Sequence, residues 1–224
     1  ALLRNTRWVP GAWCDLEAFA CQYYYPRLSQ FLLNDNYVML PYGELMRQKD
    51  LLFNSLGDNG CLFMRPSSGF KNFTGKVVGV EAEEYRKDIE FFGFYDVEPE
   101  ELVVVAEPKN IREEWRLVVV DEEVVAASMY KNRGKETIET GCPSEVWSYG
   151  NEVAKVWQPE RCWVVDICRS EERLKVVEIN SFSSSGLYAC DKQKVVEAVS
   201  RAAVEEWKEY QETPKSSSQS AECS

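Results

Sequence analysis

The sequence predicts an α+β protein built mainly from antiparallel strand pairs. Short apolar runs rich in β-branched residues, such as Leu102–Ala106, have the length and composition of buried strands. Tight polar turns separate several of these runs, which is typical of hairpins. Three longer stretches repeat their apolar residues with the helical period. At 224 residues, 45% of them hydrophobic, the chain can enclose a core in one large domain or two small lobes.

Local signals define each element in turn. The first predicted helix spans residues 41–56, with Leu45, Leu52 and Leu56 on one face and Gly57 at its end. The elements that follow it are strands at 61–64, 76–80, 102–106, 115–120 and 123–128, a helix at 144–157, and strands at 162–168 and 174–180.

The last helix is predicted to begin at Asp191, a residue that can cap it. Its predicted apolar stripe is Val196, Val199, Ala203 and Trp207. The remaining segments are an aromatic-rich, irregular cap over residues 1–40, an acidic and solvated stretch over 81–101, and a Ser-rich tail over 213–224 that we expect to be disordered.

The charge of the chain excludes several classes of function. The net charge is −11, from 37 acidic and 26 basic residues, and such a chain is neither a general nucleic-acid binder nor an adhesin for anionic lipid. No apolar stretch approaches the roughly 18 residues that span a bilayer, and no signal peptide is visible, so we expect a cytoplasmic protein. The chain begins at Ala1 rather than Met, which leaves room for a native segment ahead of it.

The counts of His and Cys limit the chemistry further. There is no His, which removes Ser-His-Asp and Cys-His catalysis and His-liganded zinc from this chain. The eight cysteines include no C-x-x-C pair, and several lie inside apolar runs. This pattern favours buried, reduced thiols over a thiol-based redox or metal protein.

Two neighbouring predicted strands end in polar side chains. Glu178 and Asn180 lie on one face because side chains alternate along a strand. Asp166 follows the apolar run of the preceding strand and joins that face if the two strands pair. Two carboxylates and an amide oxygen are ligands that suit Mg²⁺. The alternative is that these strand-end groups simply face solvent.

Two further segments could bind a nucleotide. The loop from Arg65 to Gly75 contains Ser, Gly and Lys71, which can approach and bind phosphate, although an ordinary hairpin loop has the same composition. In the linker from Glu107 to Asn110, free backbone groups beside Pro108 can contact an adenine edge, and Glu114 on the next strand can bind ribose. A plain crossover between strands explains this linker equally well.

Taken together and in this order, the three segments resemble the ATP-grasp superfamily over about residues 60–208. The details are most similar to a bacterial and phage clade that has Arg-Pro in place of the usual Lys-Pro. The segments that carry this resemblance are Arg65-Pro66, Lys71, Phe73-Thr74-Gly75, Glu114-Trp115-Arg116, Ala126-Ala127-Ser128-Met129-Tyr130, Glu178-Ile179-Asn180 and residues 185–191.

The resemblance implies an ATP-grasp-like α+β fold, in which two lobes with mainly antiparallel sheets hold the nucleotide between them. The implied parts are the remnant of an N-terminal region with its connecting helix (1–59), a small lobe with the phosphate loop (60–106), a C-terminal lobe with the metal site (107–212) and a disordered tail (213–224). The small α/β domain that precedes this region in the family is largely absent before residue 1.

The resemblance also implies a role for each candidate residue. Arg65 and Lys71 would bind the ATP phosphates, and Glu114 the ribose. The adenine would meet Glu107, Pro108 and Asn110, and Mg²⁺ would bind Asp166, Glu178 and Asn180. Many members have an Arg two residues before the metal Asp, where this chain has Val164; Arg116 would supply that charge. The loop at residues 183–186 either meets the substrate carboxylate or is a polar turn that caps the last helix.

The implied activity is ATP-dependent carboxylate–amine ligation through an acyl phosphate, with release of ADP and phosphate. Arg116 and Lys71 are the expected catalytic residues, ATP and Mg²⁺ the cofactors, and small-molecule or peptide carboxylates and amines the partners. The alternative is a nucleotide-binding module without catalytic activity. The oligomeric state stays open.

Overall fold

The computed structural model of the protein describes residues 15–69, 73–79 and 97–212. Its strands form two mainly antiparallel sheets and its helices cover them, which confirms the predicted α+β class. In chain order the elements are a 3-10 turn at Leu16–Phe19, α1 (Cys21–Arg27), β1 (Tyr37–Pro41), α2 (Tyr42–Leu56), β2 (Cys61–Pro66), β3 (Lys76–Gly79), β4 (Leu102–Ala106), β5 (Glu113–Val120), β6 (Glu123–Asn132), β7 (Lys135–Thr140), α3 (Ser144–Val156), β8 (Cys162–Ser170), β9 (Arg173–Ser181), a 3-10 turn at Phe182–Ser184 and α4 (Lys192–Glu212).

The first sheet has four strands in the order β1-β4-β2-β3, and every neighbouring pair is antiparallel. Helix α2 covers one face of it, because the apolar stripe of this helix packs on the central strands. The core between helix and sheet contains Leu45, Leu52, Phe53, Leu62, Met64, Val103 and Val105.

The second sheet has five strands in the order β7-β6-β5-β8-β9. Apolar clusters cover both of its faces. On one face α1 and α3 pack, and on the other α4 packs over Val118 and Val164. The central strands are therefore buried on both sides, which explains why their sequences are continuous apolar runs rather than alternating ones. No helix in the described part of the chain is long and apolar enough to span a membrane.

Three sequence predictions need correction. Sequence patterns indicated neither β1 nor β7; β1 comes from the predicted irregular cap and pairs with β4, Tyr37 opposite Ala106. The predicted stripe of the last helix was displaced, since Val195, Ala198 and Ala202 are buried whereas Val196 is 62% exposed. Apolar residues lie on two adjacent stripes of this helix, and packing against the sheet selects one. The predicted tail and most of the acidic stretch lie outside the described residues.

Two β-bulges interrupt the second sheet at one end. Between β5 and β6 the register shifts after Glu114, so that Tyr130 is an extra residue on β6. Between β8 and β9 it shifts after Asp166, so that Val177 is an extra residue on β9. Bulges leave a backbone group unpaired and redirect side chains, and they are frequent next to active sites.

Candidate active site

A row of charged side chains crosses the second sheet beside these bulges. Arg116 on β5 lies opposite Asp166 on β8, which in turn lies opposite Glu178 on β9. Residues opposite each other in an antiparallel sheet share a face, so the three side chains and Asn180, two residues along, lie together. Helix α4 covers the same face further along the strands, over Val118 and Val164. The predicted pairing of the two strands is therefore confirmed.

Arg116 binds Asp166 through two parallel hydrogen bonds. Its Nε donates to Oδ1 at 2.9 Å and its Nη2 donates to Oδ2 at 2.7 Å, while Nη1 donates to the carbonyl oxygen of Gly186 at 3.0 Å. Asp166 is only 2% exposed, so this pair is largely removed from water. Burial lowers the pKa of Arg116, but the hydrogen bonds and charge of Asp166 raise it further, and the guanidinium stays charged.

Glu178 connects the two sheets. One of its oxygens accepts a hydrogen bond from Asn180 at 3.0 Å, and the other forms an ion pair with Arg65 Nη2 at 3.2 Å. Arg65 lies on β2 of the first sheet, so this ion pair crosses between the sheets. Its Nη1 also donates to the carbonyl oxygen of the bulged residue Val177 at 3.5 Å. Arg65 is 5% exposed, and its Nε has no hydrogen-bond acceptor among the described residues.

Glu114 is bound by two successive residues of β6. The hydroxyl of Tyr130 donates to its Oε2 at 2.8 Å, and Lys131 Nζ lies 3.0 Å from its Oε1. Successive side chains of a regular strand point to opposite faces, and the bulge at Tyr130 allows both to reach one carboxylate. Burial and the nearby charges of Asp166 and Glu114 raise the pKa of Tyr130 well above its ordinary value, so it remains a donor.

A tyrosine from the loop before α4 closes this end of the sheet. The ring of Tyr188 stacks on that of Tyr130 with centroids 5.0 Å apart and planes 9° from parallel. The Arg116 guanidinium carbon lies 5.0 Å from the Tyr188 centroid and 5.7 Å from that of Tyr130, which is within the range of cation–π attraction. Tyr188 has a φ of +47°, an uncommon conformation for a residue with a side chain.

Two cavities flank Arg65. The first, which we call the inter-sheet cavity, has a volume of about 340 Å³ and lies between β2 and the bulged ends of β6 and β9. Its apolar walls include Phe63, Phe73 and Ile111, and its polar walls include Glu114 and Glu178. Its size and its mixture of flat apolar surface with a few polar groups are typical of small-molecule sites.

The second, which we call the serine-lined cavity, has a volume of about 370 Å³. Arg65 and Arg116 supply its charged walls, and Arg65 is shared with the inter-sheet cavity. Its other walls are Leu16, Phe19, Ser68, Gly69, Ile179, Asn180, Ser181, Ser184 and Ser185. Within the loop at 183–186, Ser184 and Ser185 therefore line a cavity, whereas the exposed Ser183 does not.

A family model for the ATP-grasp domain, specifically family 2 of one ATP-grasp clade, matches residues 48–198 of the 224-residue chain. The chain belongs to this ATP-grasp family. The match confirms the resemblance inferred from the ordered segments of the sequence. A comparison with curated proteins found no match.

Solved ATP-grasp structures share the fold at low sequence identity. The D-alanine–D-alanine ligase from Bacillus anthracis is 16% identical, with a TM-score of 0.54 over 85% of this chain and 71% of that one. The ATP-grasp ligase PsnB complexed with minimal precursor is 18% identical, with a TM-score of 0.51 over 84% of this chain. A RimK domain ATP-grasp protein from Sphaerobacter thermophilus is 11% identical, with a TM-score of 0.55 over 84% of this chain and 66% of that one. This chain spans 60% of the length of PsnB.

The donor set formed by Asp166, Glu178 and Asn180 fits a hard divalent cation. All three ligand atoms would be oxygen, and the two carboxylates face each other across the β8–β9 pair. Both carboxylates are paired with guanidinium groups, but a carboxylate oxygen has a second lone pair for a metal. The described residues contain no cluster of three or more His, Cys, Asp or Glu side chains that could hold a metal, so the third ligand of this set must be the Asn180 amide.

The other predicted site residues divide into two groups. Arg65, Glu114 and Arg116 line the two cavities. The linker residues Glu107, Pro108 and Asn110 do not line the inter-sheet cavity; their neighbour Ile111 does. Glu107 accepts a hydrogen bond from Lys109 at 2.8 Å, and the Asn110 carbonyl oxygen accepts one from Ser170 at 2.7 Å. Lys71 lies outside the described residues.

Sequence reasoning assigned no role to three residues of the site. Tyr130 and Lys131 bind Glu114, and Tyr188 lies against Arg116. Tyr130 and Tyr188 belong to segments that supported the family resemblance, but nothing in their spacing indicates that their rings stack. Lys131 carries no signal at all, because its contact with Glu114 depends on the bulge.

Proposed function

We propose that the chain catalyses ATP-dependent ligation of a carboxylate to an amine through an acyl phosphate. One observation carries the proposal: the buried Arg65–Glu178 ion pair joins the two sheets where the two cavities share a wall. Arg65 thus reaches both a cavity suited to a nucleotide and a cavity suited to a second substrate. Membership of the ATP-grasp family and the ligase titles of the structural neighbours support the same reaction class.

ATP would bind in the inter-sheet cavity. The flat apolar groups Phe63 and Phe73 suit a purine ring, and the buried carboxylate of Glu114 suits the ribose hydroxyls. The adenine edge would meet the backbone of the linker that includes Glu107, Pro108 and Asn110. The unpartnered Nε–H of Arg65 is a donor for phosphate oxygen, and Lys71 would contribute a second cation.

Mg²⁺ would be held by Asp166, Glu178 and Asn180. When bound, it would neutralise charge on the phosphates during transfer. Arg116 and Arg65 already neutralise the two carboxylates in their buried positions, and phosphate oxygens could take over these guanidinium groups.

The reaction would proceed in two displacements. A carboxylate oxygen attacks the γ-phosphorus, and the bond from that phosphorus to the β,γ-bridging oxygen breaks, so that ADP leaves. An amine nitrogen then attacks the acyl carbon, and phosphate leaves with the electron pair of the broken C–O bond. Arg116 and Lys71 would stabilise the charge that develops on the transferred group and on the tetrahedral oxyanion.

A second candidate is a nucleotide-binding module that does not turn ATP over. The ion pairs favour it, because both carboxylates of the metal set are engaged by arginines. Such a protein would retain the inter-sheet cavity and bind ATP without releasing products.

The nucleotide product distinguishes the mechanisms. The protein is incubated with ATP, Mg²⁺ and pools of carboxylates and amines, and the nucleotides are separated by chromatography. We expect ADP in step with ligated product. AMP as the stoichiometric product would contradict the acyl-phosphate mechanism, and ATP binding without turnover on any pool would favour the non-catalytic module.

A further inference from the structure

The serine-lined cavity adjoins the proposed phosphate site. Among the described residues, Arg65 is the one side chain that lines both this cavity and the inter-sheet cavity. A group bound in the serine-lined cavity can therefore contact the same guanidinium as the terminal phosphate. Its volume of about 370 Å³ suits a small molecule or the end of a chain.

The walls of this cavity have an unusual balance of charge. Two guanidinium groups line it, and none of its described wall residues is Asp, Glu or Lys. Asp166 and Glu178, the carboxylates bound to these arginines, are not wall residues. The acids Glu17 and Glu101 line a neighbouring cavity beyond Ser68 and Gly69. A ligand in the serine-lined cavity thus meets cations and hydroxyl groups but no anion among its described walls.

This balance discriminates between carboxylates. A carboxylate placed between Arg65 and Arg116 is attracted by both, and the serine hydroxyls can donate to it or to neutral polar groups. An ammonium group on the next carbon would lie close to the same guanidinium groups without a carboxylate to balance it, which is costly in a partly desolvated site. A neutral hydroxyl or amide nitrogen at that position carries no such penalty.

Building on the proposed function, we propose that the serine-lined cavity binds the carboxylate substrate and selects carboxylates without a neighbouring ammonium group, such as 2-hydroxy acids or N-acylated amino acids. The apolar wall residues Leu16, Phe19 and Ile179 bind the body of the substrate. Free α-amino acids are excluded by charge rather than by size.

Isosteric acid pairs test this selection. L-lactate is compared with L-alanine, and L-phenyllactate with L-phenylalanine, because each pair differs only in a hydroxyl against an ammonium group. Hydroxylamine replaces the unknown amine: its nitrogen attacks the acyl phosphate, phosphate leaves, and a hydroxamate forms. ADP and hydroxamate are measured together. We expect kcat/KM for the hydroxy acid of at least one pair to exceed that of its amino acid by tenfold or more.

A charge placed in the cavity should change the preference. Ser184 lines the cavity, and its hydroxyl contacts that of Ser181 at 2.6 Å. Ser184→Asp introduces a carboxylate that can pair with an ammonium group, so the tenfold preference should shrink or reverse. Ser183→Asp is the matched control, because Ser183 is the adjacent residue, is exposed and does not line the cavity. This control should retain the preference.

The outcomes separate this inference from the proposed function. ADP and hydroxamate formation that favours the amino acids in the unmodified protein would overturn the selection and leave the ligase function intact. The same holds if Ser184→Asp and Ser183→Asp behave alike. ADP formation with neither member of any pair would overturn the inference, and AMP as product would overturn the proposed function itself.

Discussion

Arg65 occupies a position that few buried cations do, between two sheets and two cavities. Its partners are a carboxylate and a bulged carbonyl group, and its Nε has no acceptor among the described residues. A buried charge costs several kcal/mol unless it is paired, so removal of either member of such a pair is more harmful than the pair itself is stabilising. Conservative variants are therefore the informative ones at this site.

We predict that Arg65→Lys weakens ATP binding about tenfold or more and leaves adenosine binding nearly unchanged. Lysine keeps a charge beside Glu178 but lacks the second donor face that would contact phosphate. Calorimetric titration with both ligands measures the difference. Arg169→Lys is the control, since Arg169 also binds two acids, Glu113 and Glu145, outside both cavities. Equal losses for ATP and adenosine would indicate damage to the fold.

Glu178→Gln should abolish Mg²⁺-dependent ATP turnover while the protein stays folded. An amide has one acceptor oxygen and cannot accept from both Asn180 and Arg65, so we also expect a stability loss of about 1–3 kcal/mol. ADP release measures the first effect and chemical denaturation the second. Glu136→Gln, at an exposed position on β7, is the control and should change neither. Near-normal turnover in Glu178→Gln would contradict the metal assignment.

At the scale of elements, two bulges and one close helix contact shape the site. The bulges bring Tyr130, Lys131 and the Val177 carbonyl to the charged row. The underside of the same sheet is held by α3, which approaches so closely at Gly150 that an added Cβ would lie 2.5 Å from Leu117 Cδ2 and 2.9 Å from Val124 Cγ2. The strands that position Glu114 and Arg116 therefore depend on the packing of α3.

Gly150→Ala tests this packing. Alanine gains about 0.5–1 kcal/mol of helix propensity, whereas overpacking costs about 1–3 kcal/mol. We expect a net loss of about 1 kcal/mol in the free energy of unfolding, measured by urea denaturation. Ser148→Ala, on the exposed side of the same helix, should be neutral or slightly stabilising. A stabilised Gly150→Ala variant would show that the sheet yields at this contact.

At the scale of the whole molecule, the cysteines report on how the cores are closed. The six cysteines within the described residues are free thiols, and four of these are buried. Burial raises the pKa of Cys142 and Cys190 to about 11 and that of Cys162 and Cys168 to about 12, from an ordinary value of 9.0. Such thiols are inert structural residues rather than redox centres.

We predict slow alkylation of the four thiols with raised pKa values in the native protein. A rise of two pKa units lowers the thiolate fraction about a hundredfold at pH 8, and burial slows access further. Iodoacetamide labelling followed by peptide mass spectrometry, with and without denaturant, gives the rate at each site. The partly exposed Cys61 is the internal reference and should react faster. Rapid labelling of Cys162 or Cys168 would mean that the second sheet opens readily.

Much of this protein could be predicted from its sequence, because the decisive signals are local. Apolar runs and turns locate most strands, the helical period locates α2, α3 and α4, and Asp191 does cap the last helix by accepting from two backbone N–H groups. The metal set could be predicted as well, since strand alternation places Glu178 and Asn180 on one face and a short turn makes the neighbouring strands pair.

Tertiary structure decided what depends on distant parts of the chain. The Arg65–Glu178 pair joins residues on different sheets, and no local pattern specifies which strands of two sheets meet. Strand β1 becomes a strand only through its pairing with β4. The contact of Lys131 with Glu114 exists because a bulge overrides the alternation from which the sequence is read. Local periodicity fixes which face a side chain occupies, whereas packing fixes which other residues it meets there.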